Sequence, residues 1–418
     1  MRPPLLFPKI SVIGLGYIGL PTAAMFASRK IEVVGVDVNR QTVETINQGK
    51  IHIVEPDLDI VVHAAVAEGY LRAQTTPEAA DAFLIAVPTP FIGNQHSPDL
   101  SFIEAASRSI APVLKPGNLI ILESTSPVGT TEKMATWLAT SRPDLSFPQT
   151  HGAESDIRIA HCPERVLPGK VMQELISNDR IIGGMSERCS QEASALYKTF
   201  VNGDCFITNA RTAEMAKLTE NSFRDVNIAF ANELSMVCGE LGIDVWELIQ
   251  LANRHPRVNI LQPGPGVGGH CIAVDPWFIV SSAPEKSPLI RTARQVNDAK
   301  TQWVIKAARD LVSQFHETSP SKVRIGIYGL TFKPNIDDLR ESPAVDIANA
   351  MAELPSVELL VVEPNISELP DALSNAKLVT FEQATAADIH LMLVDHEEFL
   401  NTIKPSTFVI DARGVWKN

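Results

Sequence analysis

The sequence has few aromatic residues, few cysteines and no long apolar run. Phe, Trp and Tyr make up 6% of its 418 residues, and no apolar stretch approaches the roughly 20 residues that a membrane-spanning helix needs. The hydrophobic fraction is still 45%, which is typical of a folded protein and excludes a disordered one. We therefore expect two or three globular domains and no membrane partner, because a chain of this length exceeds one core.

Structural cysteine chemistry is also missing. The chain has five cysteines and no C-x-x-C pair: Cys162, Cys189, Cys205, Cys238 and Cys271. An odd count without such pairs argues against a zinc site and a disulfide framework, and it favours reduced thiols. The first residues, MRPPLLFPK, contain no apolar segment of signal-peptide length. We therefore expect a cytoplasmic protein without a bound metal.

Positive charge is in deficit. Lys and Arg number 36 against 49 Asp and Glu, which gives a net charge of −13. Such a charge repels a polyphosphate backbone, so we expect no nucleic-acid partner. It also implies that an anionic ligand is held by a few local cations against the field of the whole chain.

Short apolar runs alternate with helical patterns in the first half of the chain. Four of them have the composition of buried parallel strands, at Ile10–Gly14, Val33–Asp37, Ala82–Val87 and Leu119–Glu123. This alternation predicts an α/β fold with a doubly wound sheet. We assign residues 1–208 to an N-terminal Rossmann-like domain.

The middle of the chain, residues 209–315, is helical in pattern. Between Arg211 and Ala252 there is no proline, and apolar residues recur at helical spacing, which predicts one long helix or two in tandem. A further helix is expected at roughly Pro288–Phe315. Because a long helix must bury its apolar stripe, we expect this central helix to form a homodimer.

Strand-like runs return in the last part of the chain. They lie at Val323–Tyr328, Leu359–Val362, His390–Leu393 and Phe408–Ile410. We therefore predict a second Rossmann-like α/β domain over residues 316–418.

The first predicted strand leads into a G-x-G-x-x-G motif made by Gly14, Gly16 and Gly19. These glycines allow a tight turn, a close approach to a pyrophosphate and close packing of helix on strand. Asp37 follows the second strand, 18 residues after Gly19, where a carboxylate binds ribose hydroxyls and repels a 2′-phosphate. The motif predicts NAD rather than NADP, although Arg40 nearby leaves NADP open. A glycine-rich turn without a ligand is the alternative.

A glycine-rich segment, Pro263 to Asp275, contains one cysteine, Cys271. A thiol beside exposed amide groups has a lowered pKa and is a nucleophile. The alternative is a buried structural cysteine. Lys217, Asn221 and Arg224 fall on one face of the predicted central helix and could bind an oxyanion and move a proton. A solvated helix face is the alternative for them.

These motifs resemble those of the UDP-glucose/GDP-mannose dehydrogenase family across nearly the whole chain. The matching segments occur in the family's order: G-x-G-Y-I-G-L-P, S-T-x-P-V-G-T, C-P-E-R, G-x-G-V-G-G-H-C and F-K-x-x-x-x-D-x-R-E-S-P-A. Residues 51–57, 217–233 and 252–260 look like those of the branch that oxidises UDP-N-acetyl-D-mannosamine for bacterial surface polysaccharides. Val274 stands where the UDP-glucose enzymes carry a lysine, which weakens UDP-glucose as substrate.

The resemblance implies a four-electron oxidation of the sugar's C6 alcohol to a carboxylate, with Cys271 forming a thiohemiacetal and then a thioester. Lys217 would move protons and, with Asn221, hold the oxyanion. Glu164 would be the base for the hydrolytic water, with Thr125 positioning it, and Asp275 would tune Lys217 or Cys271.

The resemblance also implies the ligand contacts. The NAD contacts are Gly14, Gly16, Tyr17, Ile18, Gly19, Asp37, Thr89, Thr125, Thr130 and Arg340. The UDP-sugar contacts are Arg165, Val166, Lys217, Asn221, Arg224, His255, Arg257, Gly268, Phe332 and Lys333.

Three alternatives remain open at this point. UDP-N-acetylglucosamine differs from the implied substrate only at C2, an epimer that alters contacts worth about 1–3 kcal/mol. A two-electron hydroxyacid dehydrogenase would need neither Cys271 nor the last domain. A non-catalytic binding protein could dispense with Cys271 and Lys217.

Overall fold

A computed structural model describes residues 6–93, 96–167, 169–269, 271–319 and 321–416. The chain divides into two compact units, Met1–Thr219 and Glu220–Asn418. Each unit is described by itself below.

The first unit contains a mainly parallel sheet. Its strands and a small hairpin are β1 (Lys9–Ile13), β2 (Glu32–Val36), β3 (Leu71–Gln74), β4 (Ala82–Ile85), β5 (Phe91–Ile92), β6 (Ser97–Pro98), β7 (Leu119–Leu122), β8 (Arg158–His161), β9 (Arg180–Gly184) and β10 (Cys205–Asn209). The sheet order is β10-β9-β8-β7-β4-β1-β2-β3, and β5 pairs with β6 alone. Strands β8 and β9 are antiparallel.

Helices cover both faces of this sheet. They are α1 (Gly19–Ser28), α2 (Arg40–Asn47), α3 (Leu58–Ala67), α4 (Ser101–Ile110), α5 (Thr130–Ser141), α6 (Pro148–His151), α7 (Val171–Ser177) and α8 (Glu187–Tyr197). Strands β4 and β7 are buried along their whole length, as their unbroken apolar sequences require. Two hydrophobic clusters, which include Phe26 and Phe83 respectively, pack on opposite faces.

The boundary between the units falls within the long helix α9 (Ala210–Leu241). The second unit continues with α10 (Val245–Ala252), α11 (Asp275–Ser282), α12 (Pro288–Thr318), α13 (Pro343–Ala352) and α14 (Phe381–Ala384). Its strands are β11 (Val323–Tyr328), β12 (Val357–Val362), β13 (Lys377–Leu378), β14 (Ile389–Met392) and β15 (Phe408–Asp411). They form a parallel sheet in the order β13-β12-β11-β14-β15.

The predicted fold class is confirmed: along the chain, one Rossmann-like sheet precedes the long helix α9 and a second follows it. All eight predicted strands are present within one or two residues at each end. The region 211–252 forms two tandem helices, because Gly242 adopts a left-handed φ of 68° and ends the first. The sequence did not predict β3, β5, β6, β8, β9, β10 or β13.

Within the described ranges, every helix is too short or too polar to span a membrane.

Candidate functional site

The turn after β1 has the backbone that a dinucleotide needs. Gly14 has a left-handed φ of 91°, and its N–H donates to the Val36 carbonyl at 2.8 Å. A Cβ on Gly19 would overlap the carbonyl oxygen of Gly14, whereas a Cβ on Gly16 would meet open space. The turn is therefore packed where the motif requires packing and open where a pyrophosphate would approach.

The carboxylate of Asp37 lies at the end of β2 and holds this turn. Its Oδ2 accepts a hydrogen bond from the N–H of Leu15 at 3.0 Å, and its Oδ1 accepts one from the N–H of Asn39 at 2.9 Å. Each carboxylate oxygen has a second lone pair, and Asp37 is partly exposed. The residues present therefore fit the adenosine ribose and pyrophosphate of NAD. Tyr17 and Ile18, also predicted NAD contacts, lie beside this turn at α1.

Two loops at the carboxyl ends of β4 and β7 are joined. The hydroxyl of Thr89 donates to the Thr125 carbonyl at 2.6 Å, and Ser124 Oγ donates to the Val87 carbonyl at 2.7 Å. The Thr130 hydroxyl is buried and donates to Pro127 within its own turn. Of the three threonines predicted to contact NAD, Thr89 and Thr125 are half-buried and Thr130 is buried.

A buried carboxylate that the sequence did not reveal fixes the same loop. Glu214, in α9, accepts hydrogen bonds from the N–H of Gly129 at 2.6 Å and of Thr131 at 2.7 Å. These donors are at the N-terminus of α5, where a negative charge is favourable. Burial raises the pKa of Glu214, and the bonds from Thr131 and Gly129 oppose that rise. Lys217 lies three residues further along α9 and is half-buried.

The predicted base Glu164 is buried just after β8. Its Oε2 lies 3.0 Å from Nη1 of Arg180, and its Oε1 accepts from the N–H of Arg165 at 2.8 Å. The Arg165 guanidinium donates to the Asp179 carbonyl at 3.1 Å, and Val166 packs on the core. The structure therefore places Glu164 beside a buried cation.

The end of this loop is held by a second residue that the sequence analysis did not single out. The carboxylate of Glu55 accepts from the N–H of Gly169 at 2.9 Å and from the N–H of Val171 at 2.7 Å, at the start of α7. Glu55 lies in the 51–57 segment, which the sequence flagged only for its resemblance.

Cys271 is exposed and lies in a turn that leads directly into α11. The N–H of Asp275 donates to the Cys271 carbonyl at 2.9 Å. None of the five cysteines forms a disulfide in this structure. The turn places Cys271 one turn before the first residue of α11.

The glycines before Cys271 serve packing within the second unit. A Cβ on Gly269, which has a φ of 79°, would come 2.8 Å from the Phe332 ring. A Cβ on Gly268 would overlap the carbonyl oxygen of Glu341. The sequence predicted that this backbone approaches something closely, and part of what it approaches is the predicted substrate-binding segment at Phe332.

Asn221 contacts Asp275 rather than standing alone. The Asn221 Nδ2 donates to Asp275 Oδ2 at 2.5 Å, and both side chains are buried. This bond fixes the orientation of the carboxamide that was predicted to hold an oxyanion. Asp275 was predicted to tune the reactivity of Lys217 or Cys271, and its carboxylate accepts a hydrogen bond from Asn221. Arg224, one turn further along α9, is exposed.

A buried polar chain anchors the other end of the cysteine loop. Asn232 Oδ1 accepts from the N–H of Gly264 at 2.8 Å, and its Nδ2 donates to Asn297 Oδ1 at 2.9 Å. Asn297 donates in turn to Asp225 Oδ1 at 2.8 Å, which also pairs with Arg294 at 2.8 Å. The sequence analysis missed this network because its members are spread over α9 and α12.

The remaining predicted ligand contacts lie in the second unit. Arg340 is exposed and forms a two-pronged ion pair with Asp338, with its shortest contact at 2.6 Å. Phe332 and Lys333 are half-buried in the loop after β11. His255 and Arg257 are exposed in the loop after α10, where the Arg257 N–H donates to His255 Nδ1 at 3.3 Å.

Family models match three consecutive parts of the chain. Residues 8–201 match the NAD binding domain of the UDP-glucose/GDP-mannose dehydrogenase family. Residues 211–299 match its central domain, and residues 326–418 match its UDP binding domain.

Individual proteins are similar over the full chain. UDP-N-acetyl-D-mannosamine dehydrogenase of Yersinia pestis is 65% identical, over 98% of this chain and 100% of the relative. NDP-N-acetyl-D-galactosaminuronic acid dehydrogenase of Ralstonia nicotianae is 63% identical, over 98% of this chain and 96% of the relative. The solved UDP-N-acetyl-mannosamine dehydrogenase of Staphylococcus aureus is 42% identical with a TM-score of 0.84, covering 98% of this chain and 95% of that one. This chain therefore belongs to the UDP-glucose/GDP-mannose dehydrogenase family and is an NAD-dependent oxidoreductase with a UDP-sugar as substrate.

Proposed function

We propose that this protein oxidises the C6 alcohol of UDP-N-acetyl-D-mannosamine to the carboxylate, giving UDP-N-acetyl-D-mannosaminuronate. The observation that carries the proposal is the exposed Cys271 thiol, in a turn leading into α11, with the buried Asn221–Asp275 pair at the start of that helix. A two-electron alcohol dehydrogenase has no use for such a thiol. The identity with relatives named for this substrate supports the choice of sugar.

Cys271 makes the second oxidation possible. When bound, NAD is the hydride acceptor in each of the two oxidations. The Cys271 thiolate attacks the aldehyde carbon and forms a thiohemiacetal, which keeps the aldehyde from escaping and becomes a thioester on losing a hydride and a proton. Lys217 accepts the alcohol proton, and Asn221 donates a hydrogen bond to the oxyanion.

Glu164 removes a proton from the water that hydrolyses the thioester. The water oxygen bonds to the acyl carbon, the C–S bond breaks and Cys271 leaves as a thiolate. Thr125 positions this water. The product serves surface polysaccharide synthesis, and the protein acts in the cytoplasm.

The stoichiometry of the reaction tests this proposal. We expect two NADH and one carboxylate per UDP-N-acetyl-D-mannosamine consumed, measured by absorbance and product mass. Cys271→Ala should bind NAD normally and form no carboxylate, and Cys189→Ala, which removes a buried thiol, is the matched control. One NADH per sugar, or carboxylate from Cys271→Ala, would contradict the covalent mechanism.

The identity of the sugar is tested in the same assay. UDP-N-acetylglucosamine is the second candidate, with UDP-glucose after it. The relative from Ralstonia nicotianae is named for an N-acetylgalactosaminuronic acid, so UDP-N-acetylgalactosamine belongs in the comparison. The highest kcat/KM among these four sugars identifies the substrate.

We also propose that a second copy of this chain covers α9 to form a homodimer. Phe223, Phe230 and Val237 recur every seven residues and are 67%, 55% and 46% exposed. These three side chains form an apolar stripe along α9. In a two-fold symmetric dimer the same stripe from each subunit would pack against the other. Light scattering should give the dimer mass for the wild type and the monomer mass for Phe230→Asp.

A further inference from the structure

A buried charged cluster lies behind Glu164 in the first unit. Arg180, at the start of β9, is 4% exposed, and its Nη1 lies 3.0 Å from Glu164 Oε2. Its guanidinium stacks on the ring of Tyr197, the last residue of α8, at 4.6 Å from the centroid. A buried guanidinium is costly unless charge and contacts compensate it. Arg180 is therefore fixed from two sides.

A second carboxyl group shares this cluster. Glu123 follows β7 and is 2% exposed, and its Oε1 accepts from the Tyr197 hydroxyl at 2.6 Å. Burial raises the pKa of Glu123 to about 7, against the opposing charge of Arg180.

The other titratable groups of the cluster stay neutral. Burial lowers the pKa of His161 in β8 to about 3 and raises the pKa of the Cys162 thiol to about 12. Burial also raises the pKa of the Tyr197 hydroxyl well above its usual value. The charge balance of the cluster is therefore set by one guanidinium and two carboxyl groups.

We propose that Arg180 is the positioning residue of the hydrolytic base, and that its charge is divided between Glu164 and Glu123, so that ionisation of Glu123 accelerates thioester hydrolysis. This inference rests on the proposed function, in which Glu164 takes a proton from water. Besides burial, the positive charge of Arg180 lowers the pKa of Glu123 and the negative charge of Glu164 raises it, so the two carboxyl groups are coupled directly as well as through Arg180.

The direction of the effect follows from charge. When Glu123 is protonated, Arg180 neutralises Glu164 alone, and a proton taken up by Glu164 leaves the buried guanidinium uncompensated. When Glu123 is ionised, the cluster has one surplus negative charge, and proton uptake by Glu164 removes it. Glu164 is thus the stronger base above pH 7. Because a nearby charge changes proton affinity by about one to three powers of ten, we expect a roughly 10-fold rise in the hydrolysis rate.

The experiment separates hydrolysis from oxidation. Enzyme is mixed with UDP-N-acetyl-D-mannosamine and NAD between pH 6 and 9, NADH is followed by absorbance, and the thioester on Cys271 is followed by intact-protein mass after an acid quench. We expect the wild-type hydrolysis rate to rise through pH 7. Glu123→Gln should keep the NADH burst but stay at the low-pH rate and accumulate thioester at pH 8.

Two further variants test the coupling. Tyr197→Phe removes the hydrogen bond that favours ionised Glu123 while keeping the ring under Arg180, so the rise should move to higher pH. Arg180→Lys should slow hydrolysis at every pH. Glu192→Gln is the matched control, because it weakens a different glutamate–arginine pair, between Glu192 on α8 and Arg158 on β8, and should leave the profile unchanged.

The outcomes distinguish this inference from the proposed function. A wild-type pH profile in both Glu123→Gln and Tyr197→Phe, while Glu164→Gln accumulates thioester, overturns the role of the cluster alone. If the wild type yields one NADH per sugar and no variant forms a covalent adduct, the proposed function fails first.

Discussion

The two Rossmann-like sheets begin with the same turn and use it differently. In the N-terminal sheet, Leu15 follows Gly14 and donates its N–H to Asp37 at 3.0 Å. In the C-terminal sheet, Leu330 follows Gly329, which has a φ of 88°, and donates to Glu363 at 2.7 Å. The other carboxylate oxygen accepts in each case from the asparagine two residues on, Asn39 at 2.9 Å and Asn365 at 3.0 Å.

The difference lies in what fills the space beside the turn. Gly16 faces open space, whereas its C-terminal counterpart Thr331 is buried. Glu363 is buried too, and its Oε2 also lies 3.0 Å from Nε2 of His396. Burial alone would raise the pKa of Glu363, but the bonds from His396 and the Leu330 N–H outweigh it and lower that pKa. We therefore expect this backbone turn to bind a dinucleotide only in the N-terminal sheet, where Asp37 is partly exposed and Gly16 faces open space.

The largest expected effect comes from removing the side-chain carboxylate of Glu363, which holds the turn in the C-terminal sheet. Glu363→Ala leaves the buried N–H groups of Leu330 and Thr331 without their acceptor, at about 1–3 kcal/mol each. We expect the free energy of unfolding to fall by about 3 kcal/mol or more, measured by urea denaturation. Asp37→Ala should instead raise the KM for NAD about 10- to 100-fold, because a hydrogen bond to a charged group contributes about 1.5–3 kcal/mol. An equal loss of stability in Glu363→Ala and Asp37→Ala would contradict the distinction between a structural carboxylate in one turn and a ligand-binding carboxylate in the other.

The second prediction places the threonine found at position 331 at position 16, in the turn of the N-terminal sheet. Gly16→Thr should fold with nearly unchanged stability, because nothing lies within 4 Å of the added Cβ. We expect the KM for NAD to rise by about 10-fold or more, since the side chain occupies the place of the pyrophosphate. Gly14→Ala is the contrasting variant: its φ of 91° and a Cβ 2.6 Å from the Ala86 carbonyl oxygen should lower the melting temperature. An unchanged KM in Gly16→Thr would misplace the pyrophosphate.

The smallest expected effect concerns Asn39. Asn39 caps α2, and its side chain accepts from the N–H of Gln41 at 2.9 Å. Asn39→Ala should therefore cost about 1 kcal/mol of stability and change the KM for NAD less than two-fold, because the backbone N–H still holds Asp37. Asn39→Asp, which keeps the cap, should restore the stability. A large rise in KM would make the side chain a cofactor contact.

The sequence predicted the strands because their apolar runs are unbroken, and it predicted the Gly14 turn because its motif is contiguous. It did not reveal the matching turn at Gly329, because the bond from Leu330 to Glu363 joins residues 33 apart. Glu214 and Asn232 were missed for the same reason, since each is a polar residue in a helix until the loop that it holds is located. The placement of Asn221 beside Asp275 also depends on a contact between residues 54 positions apart in the sequence.

The exposure of Cys271 has a practical consequence for anyone who purifies this enzyme. The other four thiols are buried or half-buried, so a mild alkylating reagent should modify one site per native chain. On the proposed mechanism, titration with such a reagent would count competent active centres directly, independently of total protein. The same accessibility means that peroxide should inactivate the preparation in proportion to one oxidised sulfur per chain, and a reductant that converts the sulfenic acid back to the thiol should recover the lost turnover.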